Sequence, residues 1–136
     1  MTPDKIAKPG NEDSHQIAIG AWAANHVGKW PELAWLFHVP NGGARNAREG
    51  AKFKTMLVRP GVSDLHLNVA RRGYHGLVIE LKHDALGLDE TQRDKMVSDV
   101  QKNYLTFVND QGYYGCVAYG WEMAVATIEW YLNGDK

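Results

Sequence analysis

The 136-residue sequence contains one cysteine and no long run of apolar residues. Cys116 stands between small and apolar residues, which indicates a reducing compartment and a buried, packed thiol rather than a reactive one. No apolar run approaches the roughly 20 residues that span a bilayer, and residues 1–15 lack the apolar segment of a signal peptide. We therefore expect an intracellular protein.

The sequence also lacks internal repeats and low-complexity tracts. With 44% hydrophobic and 23% charged residues, its composition is that of a folded globular protein. A chain of this length buries a substantial core but is too short for two ordinary domains. We predict a flexible segment over residues 1–11 and a single domain over residues 12–136.

The net charge is only −1, but it is unevenly distributed. Residues 41–83 contain eight Lys and Arg against three Asp and Glu, a net charge of +5, so the remaining residues together carry −6. A basic segment of this kind is compatible with a surface that binds phosphate, although a cluster of charges is more often ordinary solvated surface.

Hydrophobic periodicity and turn residues predict eight elements in the order αβαββαβα. The predicted helices span residues 12–28, 44–57, 89–111 and 121–132. The predicted strands span residues 33–39, 63–70, 74–82 and 113–120. This order is typical of an α/β fold in which helices pack on a mixed sheet.

The second and third predicted strands form a hairpin. The sequence between them predicts a three-residue loop, residues 71–73, in which Gly73 takes the left-handed conformation. Such a loop pairs Ala70 with Tyr74 and thereby sets the register of the whole hairpin. The register pairs Val69 with His75, Leu67 with Leu77, His66 with Val78, Leu65 with Ile79, and Asp64 with Glu80.

One face of this hairpin is almost wholly apolar, but the other carries three charged residues. Asp64 lies opposite Glu80, and Lys82 follows two residues later on the same face. Carboxylates about 5 Å apart repel by roughly 3 kcal/mol at an effective dielectric constant near 20, and a divalent cation such as Mg²⁺ or Mn²⁺ would reverse that penalty. Alternatively, this face is solvated and Lys82 screens Glu80, or a register shift of one residue separates the acids.

The same three residues belong to a recognisable motif. The segment "GVSD", followed after the hairpin by "IELK", resembles the PD-(D/E)XK nuclease signature, with Asp64, Glu80 and Lys82 at its two acids and its lysine. The wider run, from "HVPNGGARN" through "GYHGLVIELK" to "GYYGCVAYGWEMAVATIEWYL", is similar to the stand-alone virus-type replication-repair nuclease (VRR-NUC) family over nearly all of the chain after residue 11. Ser63 stands where the signature commonly has proline, a change that removes no ligand.

The resemblance implies a restriction-endonuclease-like α/β core and a DNA endonuclease that depends on Mg²⁺ or Mn²⁺. Asp64, Glu80 and the backbone carbonyl of Leu81 would bind the metal. Lys82 would orient the attacking water or stabilise the charge that develops on the phosphate.

Two residues on predicted helices extend this site. The resemblance assigns Gln101 to the active site, although its position on the apolar face of a helix equally allows an amide satisfied by local backbone. Glu12 is a weaker candidate for a metal ligand, and by composition alone it complements the dipole of the first predicted helix.

A glycine-rich loop followed by a basic helix precedes the hairpin. Without the resemblance, "PNGGARN" is best interpreted as a turn. With it, the loop and helix become a platform for the DNA backbone, which positions a duplex without reading its sequence. The residues concerned are Asn41, Gly42, Gly43, Arg45, Arg48, Lys52 and Lys54.

The resemblance further implies branched DNA, such as a four-way Holliday junction or a flap, cut during phage or mobile-element replication, recombination or repair. It implies a homodimer, because one active site cleaves one strand. The protein would act in the cytoplasm, that of a bacterial host if a phage encodes it. The alternative is a catalytically inactive DNA-binding module with the same fold.

Overall fold

The structure, a computed structural model, describes residues 1–40 and 47–136. Its elements in chain order are α1 (Pro3–Ala7), α2 (Glu12–His26), a 3₁₀ helix (Pro31–Trp35), β1 (Phe37–His38), α3 (Ala47–Thr55), β2 (Leu65–Leu67), β3 (Leu77–Lys82), α4 (Glu90–Lys95), α5 (Asp99–Asp110), β4 (Tyr114–Tyr119) and α6 (Trp121–Leu132). Each helix in these two ranges is too short or too polar to cross a membrane.

The four strands form one mixed sheet in the order β1-β2-β3-β4. The inner strand β2 pairs antiparallel with both β1 and β3, whereas β3 and β4 are parallel. A parallel pair needs a crossover connection, which the segment containing α4 and α5 supplies. The predicted mixed sheet with helices packed on it is therefore confirmed.

Strand β3 lies at the centre of the core because both of its faces are covered. Ile79 and Leu81 belong to the apolar cluster that also contains residues of α2 and α6. On the opposite face, Val78 packs against Leu105 and Val108 of α5. Burying a Leu or Ile side chain stabilises a fold by roughly 1.5–3 kcal/mol, so packing on two faces makes β3 the best anchored strand of the sheet.

The charged residues of the hairpin lie on the α5 face of β3. Glu80 is 2% exposed and Lys82 is 8% exposed. The alternative in which this face is solvated is therefore wrong. Strand β3 alternates polar and apolar residues as a half-exposed strand does, but its polar residues Glu80 and Lys82 are buried.

The hairpin turn is shorter than predicted. Arg71 and Tyr74 exchange two backbone hydrogen bonds, of 3.2 Å and 2.8 Å, so the loop consists of Arg72 and Gly73 alone. The predicted three-residue loop, with its Ala70–Tyr74 pair, is wrong. Both loop residues have positive φ angles, 56° and 83°, as a type I′ turn requires.

A non-glycine residue in the left-handed region needs compensating contacts, and Arg72 has them. Its backbone N–H donates to the carbonyl of Asp135 at 2.7 Å, and its Nε donates to the carbonyl of Trp130 at 2.8 Å. The guanidinium also lies 4.3 Å from the centre of the Trp130 ring. Contacts with the C-terminal residues therefore stabilise the shorter turn.

The predicted register is confirmed at the strand pairs. Three residues separate Leu67 from Arg71, but only two separate Tyr74 from Leu77, so the irregular segment absorbs the change in loop length. His75 donates its N–H to the carbonyl of Gly112 at 2.9 Å, and the predicted pair of Val69 with His75 is not formed. The observed pairs are Leu65 with Ile79, His66 with Val78, and Leu67 with Leu77.

Two predicted elements differ from the observed ones. Of the strand predicted at residues 33–39, the first three residues end a 3₁₀ helix that begins at Pro31, and only Phe37 and His38 form β1. The helix predicted at residues 89–111 is two helices, because Ser98 caps α5. The Ser98 Oγ accepts the Gln101 N–H at 3.2 Å, and the Gln101 side chain accepts the Ser98 N–H at 2.9 Å.

The remaining predicted helices agree with the structure to within a few residues. Those predicted at residues 12–28 and 121–132 are α2 and α6, and the one at 44–57 corresponds to α3, with residues 44–46 outside the described part. The predicted irregular start contains α1, where Ala7 is buried. The flexibility of residues 1–11 and the single domain over 12–136 stay predictions.

A side chain of α5 occupies the outer edge of β4. Asn109 Nδ2 donates to the carbonyl of Gly115 at 3.0 Å, and its Oδ1 accepts the Gly115 N–H at 2.9 Å. A Cβ on Gly115 would lie only 2.9 Å from Cγ2 of Val108. Glycine therefore allows α5 to approach this strand closely.

Candidate active site

Asp64 is held by hydrogen bonds on both its side chain and its backbone. It lies directly before β2, and its Oδ2 accepts the N–H of Leu81 at 2.7 Å. Its backbone carbonyl accepts the N–H of Val39 at 2.8 Å. The side chain is therefore fixed against the strand that carries the second acid.

Glu80 is buried beside Asp64. Burial, a hydrogen bond with the Asp64 side chain and the charge of that carboxylate raise the pKa of Glu80 to about 9, although the nearby Lys82 acts in the opposite direction. Two carboxylates this close cannot both ionise without a compensating positive charge. The structure thus brings the two predicted acids together, as the sequence register required.

One oxygen of Glu80 has no hydrogen-bond partner in residues 1–40 and 47–136. Among the residues that the structure describes, nothing donates a hydrogen bond to its buried Oε1. Leaving such an acceptor unsatisfied costs about 1–3 kcal/mol or more for a charged group. A hard divalent cation would satisfy this oxygen and cancel the repulsion between the carboxylates, so the donor set fits Mg²⁺ or Mn²⁺.

The backbone of Leu81 lies against Asp64, and its role as a metal ligand stays a prediction. Its N–H points at Asp64, and the N–H and C=O of a strand residue point to the same side, so its carbonyl also faces the side on which Asp64 lies. Leu81 lines the same cavity as the two acids. A third oxygen is thus available to a cation there.

Lys82 lies close to an acid from another element. Its Nζ is 3.8 Å from Oε1 of Glu12, the first residue of α2. The lysine side chain is buried while that of Glu12 is half exposed, so this contact joins the interior of the site to its rim. The structure therefore brings Glu12 to the predicted site, and its role as a metal ligand stays a prediction.

Gln101 occupies the first turn of α5 instead of the middle of a long helix. Its Oε1 accepts the N–H of Ser98, as in the alternative of an amide satisfied by local backbone. The same side chain lines the cavity that contains Asp64 and Glu80. The capping bond uses only the oxygen of the amide, so it is compatible with a role in the active site, and that role stays a prediction.

The cavity has a volume of about 290 Å³ and is polar along much of its wall. Residues from α2, β1, β3, α5 and the segment before β2 meet around it. The lining residues are Glu12, Asp13, Gln16, His38, Pro40, Gly61, Val62, Asp64, Glu80, Leu81 and Gln101. Four elements distant in sequence thus converge on the acid pair.

Six of these lining residues were not predicted from the sequence, and two of the six, His38 and Gln16, present polar atoms that could contact a ligand. His38 donates its Nδ1–H to the carbonyl of Asp64 at 2.9 Å, which leaves Nε2 as an acceptor when the ring is neutral. Gln16 has a buried Oε1 without a hydrogen-bond partner in the described ranges. Its spacing of four from Glu12 on one helix was the available signal, because such residues lie on the same face.

A metal at this site would rely on few protein ligands. In residues 1–40 and 47–136, no three His, Cys, Asp or Glu side chains form a group that could hold a metal ion. Magnesium is commonly bound by one or two carboxylates, with waters and phosphate oxygens completing its shell. The carboxylates of Asp64 and Glu80 and the carbonyl of Leu81 are consistent with that coordination.

The predicted DNA platform is only partly described. Arg48, Lys52 and Lys54 lie on α3, and all three are exposed. Arg48 and Lys52 are four residues apart and share a face of the helix. The predicted residues Asn41, Gly42, Gly43 and Arg45 lie outside the described residues, so the platform as a whole stays a prediction.

The sequence matches no protein-family profile and no curated protein. A solved structure described as "VRR_NUC domain protein" is similar to this chain, with 30% sequence identity and a TM-score of 0.73. The similarity covers 92% of this chain and 91% of that one. The similarity therefore extends over nearly the whole chain.

Proposed function

Because the chain belongs to the VRR-NUC family, with the restriction-endonuclease-like α/β core of that nuclease-type fold, we propose that it is a metal-dependent endonuclease that hydrolyses phosphodiester bonds in DNA. Asp64, Glu80, Lys82 and Gln101 form the proposed catalytic site. The observation that carries the proposal is the acid pair, in which the buried Glu80 Oε1 lacks a partner among the described residues.

The acid pair destabilises the folded protein, but it suits a metal site for phosphodiester hydrolysis. Two buried carboxylates raise the free energy of the folded state unless a cation or a proton lies between them. Asp64, Glu80 and the Leu81 carbonyl would hold the cation. When bound, Mg²⁺ or Mn²⁺ supplies neutralisation of phosphate charge and a lower pKa for an attacking water.

Lys82 acts through its charge. The Lys82 side chain is buried and its ammonium lies 3.8 Å from Oε1 of Glu12, where a low dielectric strengthens its interaction with any anion that enters. Its role is to donate hydrogen bonds to the phosphate oxygens as negative charge builds up on them.

Gln101 contributes a donor. Since its Oε1 already accepts the Ser98 N–H, the group that it can offer to a substrate is its NH₂. An NH₂ group suits a phosphate oxygen or the attacking water. The cap at Ser98 thus holds the Gln101 amide in place. A fixed amide can hold the phosphate or the water in a reactive orientation, which lowers the activation barrier.

The substrate proposed is branched DNA, a four-way junction or a flap, processed in replication, recombination or repair. The exposed cations of α3 would contact the phosphate backbone and set the position of the duplex. Two copies of the chain would cut two strands, so a homodimer is part of the proposal. A monomeric mass in light scattering under assay conditions would contradict it.

The deciding experiment is cleavage of end-labelled four-way junction, flap and linear duplex DNA with Mn²⁺, Mg²⁺ or EDTA. Asp64→Asn removes a charge but keeps an oxygen for the Leu81 N–H, and Asp4→Asn on α1 is the matched surface control. We expect metal-dependent cleavage that Asp64→Asn abolishes and Asp4→Asn preserves. Binding without cleavage by the wild type would instead favour a catalytically inactive DNA-binding module.

Metal binding can be tested without any cleavage. A ligand that binds only the folded state raises the melting temperature as its concentration increases. We expect Mn²⁺ to raise the melting temperature of the wild type and of Asp4→Asn, but not that of Asp64→Asn. An equal rise in all three would place the metal elsewhere.

A further inference from the structure

A second cavity lies beside the candidate active site. It has a volume of about 560 Å³ and is formed by β2, β3, α5 and the segments that follow them. We name it the aromatic groove. Its main lining residues are His66, Asn68, Tyr104, Phe107, Gln111 and Tyr113.

The aromatic groove and the acid pair occupy the same face of the sheet. His66 follows Asp64 by two residues, and Val78 precedes Glu80 by two, so both pairs share a face. Two strand residues span about 7 Å, which is roughly two base steps of a stacked DNA strand at 3.4 Å each. A strand with its phosphate at the carboxylates therefore reaches the groove with the next nucleotides.

Side chains on one side of helix α5 line both cavities. Gln101, Tyr104, Phe107 and Gln111 follow one another at intervals of three or four residues, which places them along one side of the helix. Gln101 lines the active-site cavity and the other three line the aromatic groove. Phe107 is 61% exposed, so its ring is accessible to a ligand that enters the groove.

The chemistry of the groove suits bases better than phosphates. Among the residues that the structure describes, its lining contains no Asp, Glu, Lys or Arg. It offers instead aromatic rings, including Tyr104 packed edge-on to His66 at 6.2 Å, and the neutral amides of Asn68 and Gln111. Aromatic rings stack on nucleobases, and amides can bond to base edges.

We propose that the aromatic groove binds unpaired bases of the DNA strand next to the phosphate that is cut. The proposal rests on the proposed function, because that function places the phosphate at Asp64 and Glu80. In a duplex the bases are stacked and paired, so they cannot enter the groove. The groove thus selects flaps and junctions that have unpaired nucleotides at the cleavage position.

The test compares two probes in EDTA, where binding is measured without cutting. One is a fluorescent duplex with a single-stranded arm of thymidines, and the other has the same arm built from abasic residues. Phe107→Ala tests the groove, and Trp35→Ala, at a residue that is 75% exposed on the 3₁₀ helix, is the matched control. Asn68→Ala provides a second groove variant.

We expect Phe107→Ala to weaken binding of the thymidine arm at least about fivefold, the effect of losing one stacked base, and to leave the abasic arm unchanged. Asn68→Ala should weaken the thymidine arm in the same selective way, and Trp35→Ala should alter neither probe. Equal losses on both probes, no loss on either, or no binding of the thymidine arm by the wild type would overturn the proposal.

Cleavage with Mn²⁺ separates this proposal from the proposed function. Metal-dependent cleavage together with base-independent binding would refute base binding by the aromatic groove and support the proposed nuclease activity. Base-dependent binding without cleavage supports the groove as a base-binding site and refutes the nuclease.

Discussion

Asp64 and Leu81 are joined by a hydrogen bond of 2.7 Å, from the Leu81 N–H to the Asp64 Oδ2. Leu81 directly follows Glu80, so this bond ties the first acid to the strand that carries the second. The acid pair is therefore built by the hairpin itself, and its geometry depends on backbone contacts as well as on the two side chains.

Substitutions of Asp64 separate its structural role from its charge. Alanine removes the acceptor of the Leu81 N–H, whereas asparagine keeps an oxygen. We expect the free energy of unfolding of Asp64→Ala to be about 1–2 kcal/mol lower than that of Asp64→Asn. Urea denaturation in EDTA measures the difference, and equal values would contradict a structural role for this bond.

The raised pKa of Glu80 makes the stability of the metal-free protein depend on pH. The folded state keeps a proton on Glu80 up to about pH 9, while the unfolded state releases it near the ordinary value of 4.5. Above that value the folded state binds more protons, so its stability falls as pH rises, by at most about 1.4 kcal/mol per unit.

This slope is measured best between pH 7 and 9. Burial lowers the pKa of His15 and of His66, so their opposing contributions lie below about pH 6.5. We expect denaturation midpoints in EDTA to fall across this range for the wild type and to change much less for Glu80→Gln. Parallel curves for the two proteins would show that Glu80 ionises normally.

Lys82→Ala should abolish cleavage while leaving affinity for junction DNA nearly intact. The ammonium interacts with charge that develops only during the reaction, and removing one such donor commonly costs about 10²–10³-fold in rate. Lys102→Ala is the control, because Lys102 is a lysine paired with Asp94 on the surface at 2.8 Å. Undiminished cleavage by Lys82→Ala would refute the catalytic role.

His38→Ala should slow cleavage by about tenfold without unfolding the protein. His38 is exposed, but its ring lines the active-site cavity and supports the backbone of Asp64, where small displacements of a reacting group are costly. His83→Ala is a matched control, because His83 is also exposed and contacts a backbone carbonyl, that of Asp84, at 2.9 Å. Equal cleavage rates for the two variants would show that His38 does not contribute to the active site.

The DNA platform predicts a salt effect. Each phosphate contact that is lost reduces the slope of log affinity against log salt by about 0.9, so the double variant Arg48→Ala with Lys52→Ala should reduce it by up to about 1.8. The control replaces Lys5 and Lys8, near α1, by alanine. An unchanged slope in the α3 variant would exclude this helix from the DNA interface.

The hairpin register was predicted correctly from a loop that the structure does not contain, and the apolar pattern of the two strands favours the same register. Apolar residues alternating along two adjacent strands allow one register that buries them together, and Leu65 with Ile79 is one such pair. The turn could not be predicted in the same way. Arg72 adopts its left-handed conformation with help from Trp130 and Asp135, which are far away in sequence.

The burial of the acid site was also beyond the sequence pattern. Whether Glu80 and Lys82 are solvated depends on where α5 packs, and an alternating strand looks the same in either case. The cap at Ser98 had a recognisable signature, a serine followed three residues later by Gln101, but the apolar periodicity continued through it. His38 was missed because β1 is too short to show a pattern.

The contact between Asn109 and Gly115 limits how copies of this chain can associate. An edge strand normally offers free amide and carbonyl groups on which another strand can be added, the first step of sheet growth and aggregation. Here the amide of Asn109 takes the place of that incoming strand at Gly115. Addition of a strand to the β4 edge is therefore obstructed at Gly115, which favours other surfaces for any contact between two copies of the chain.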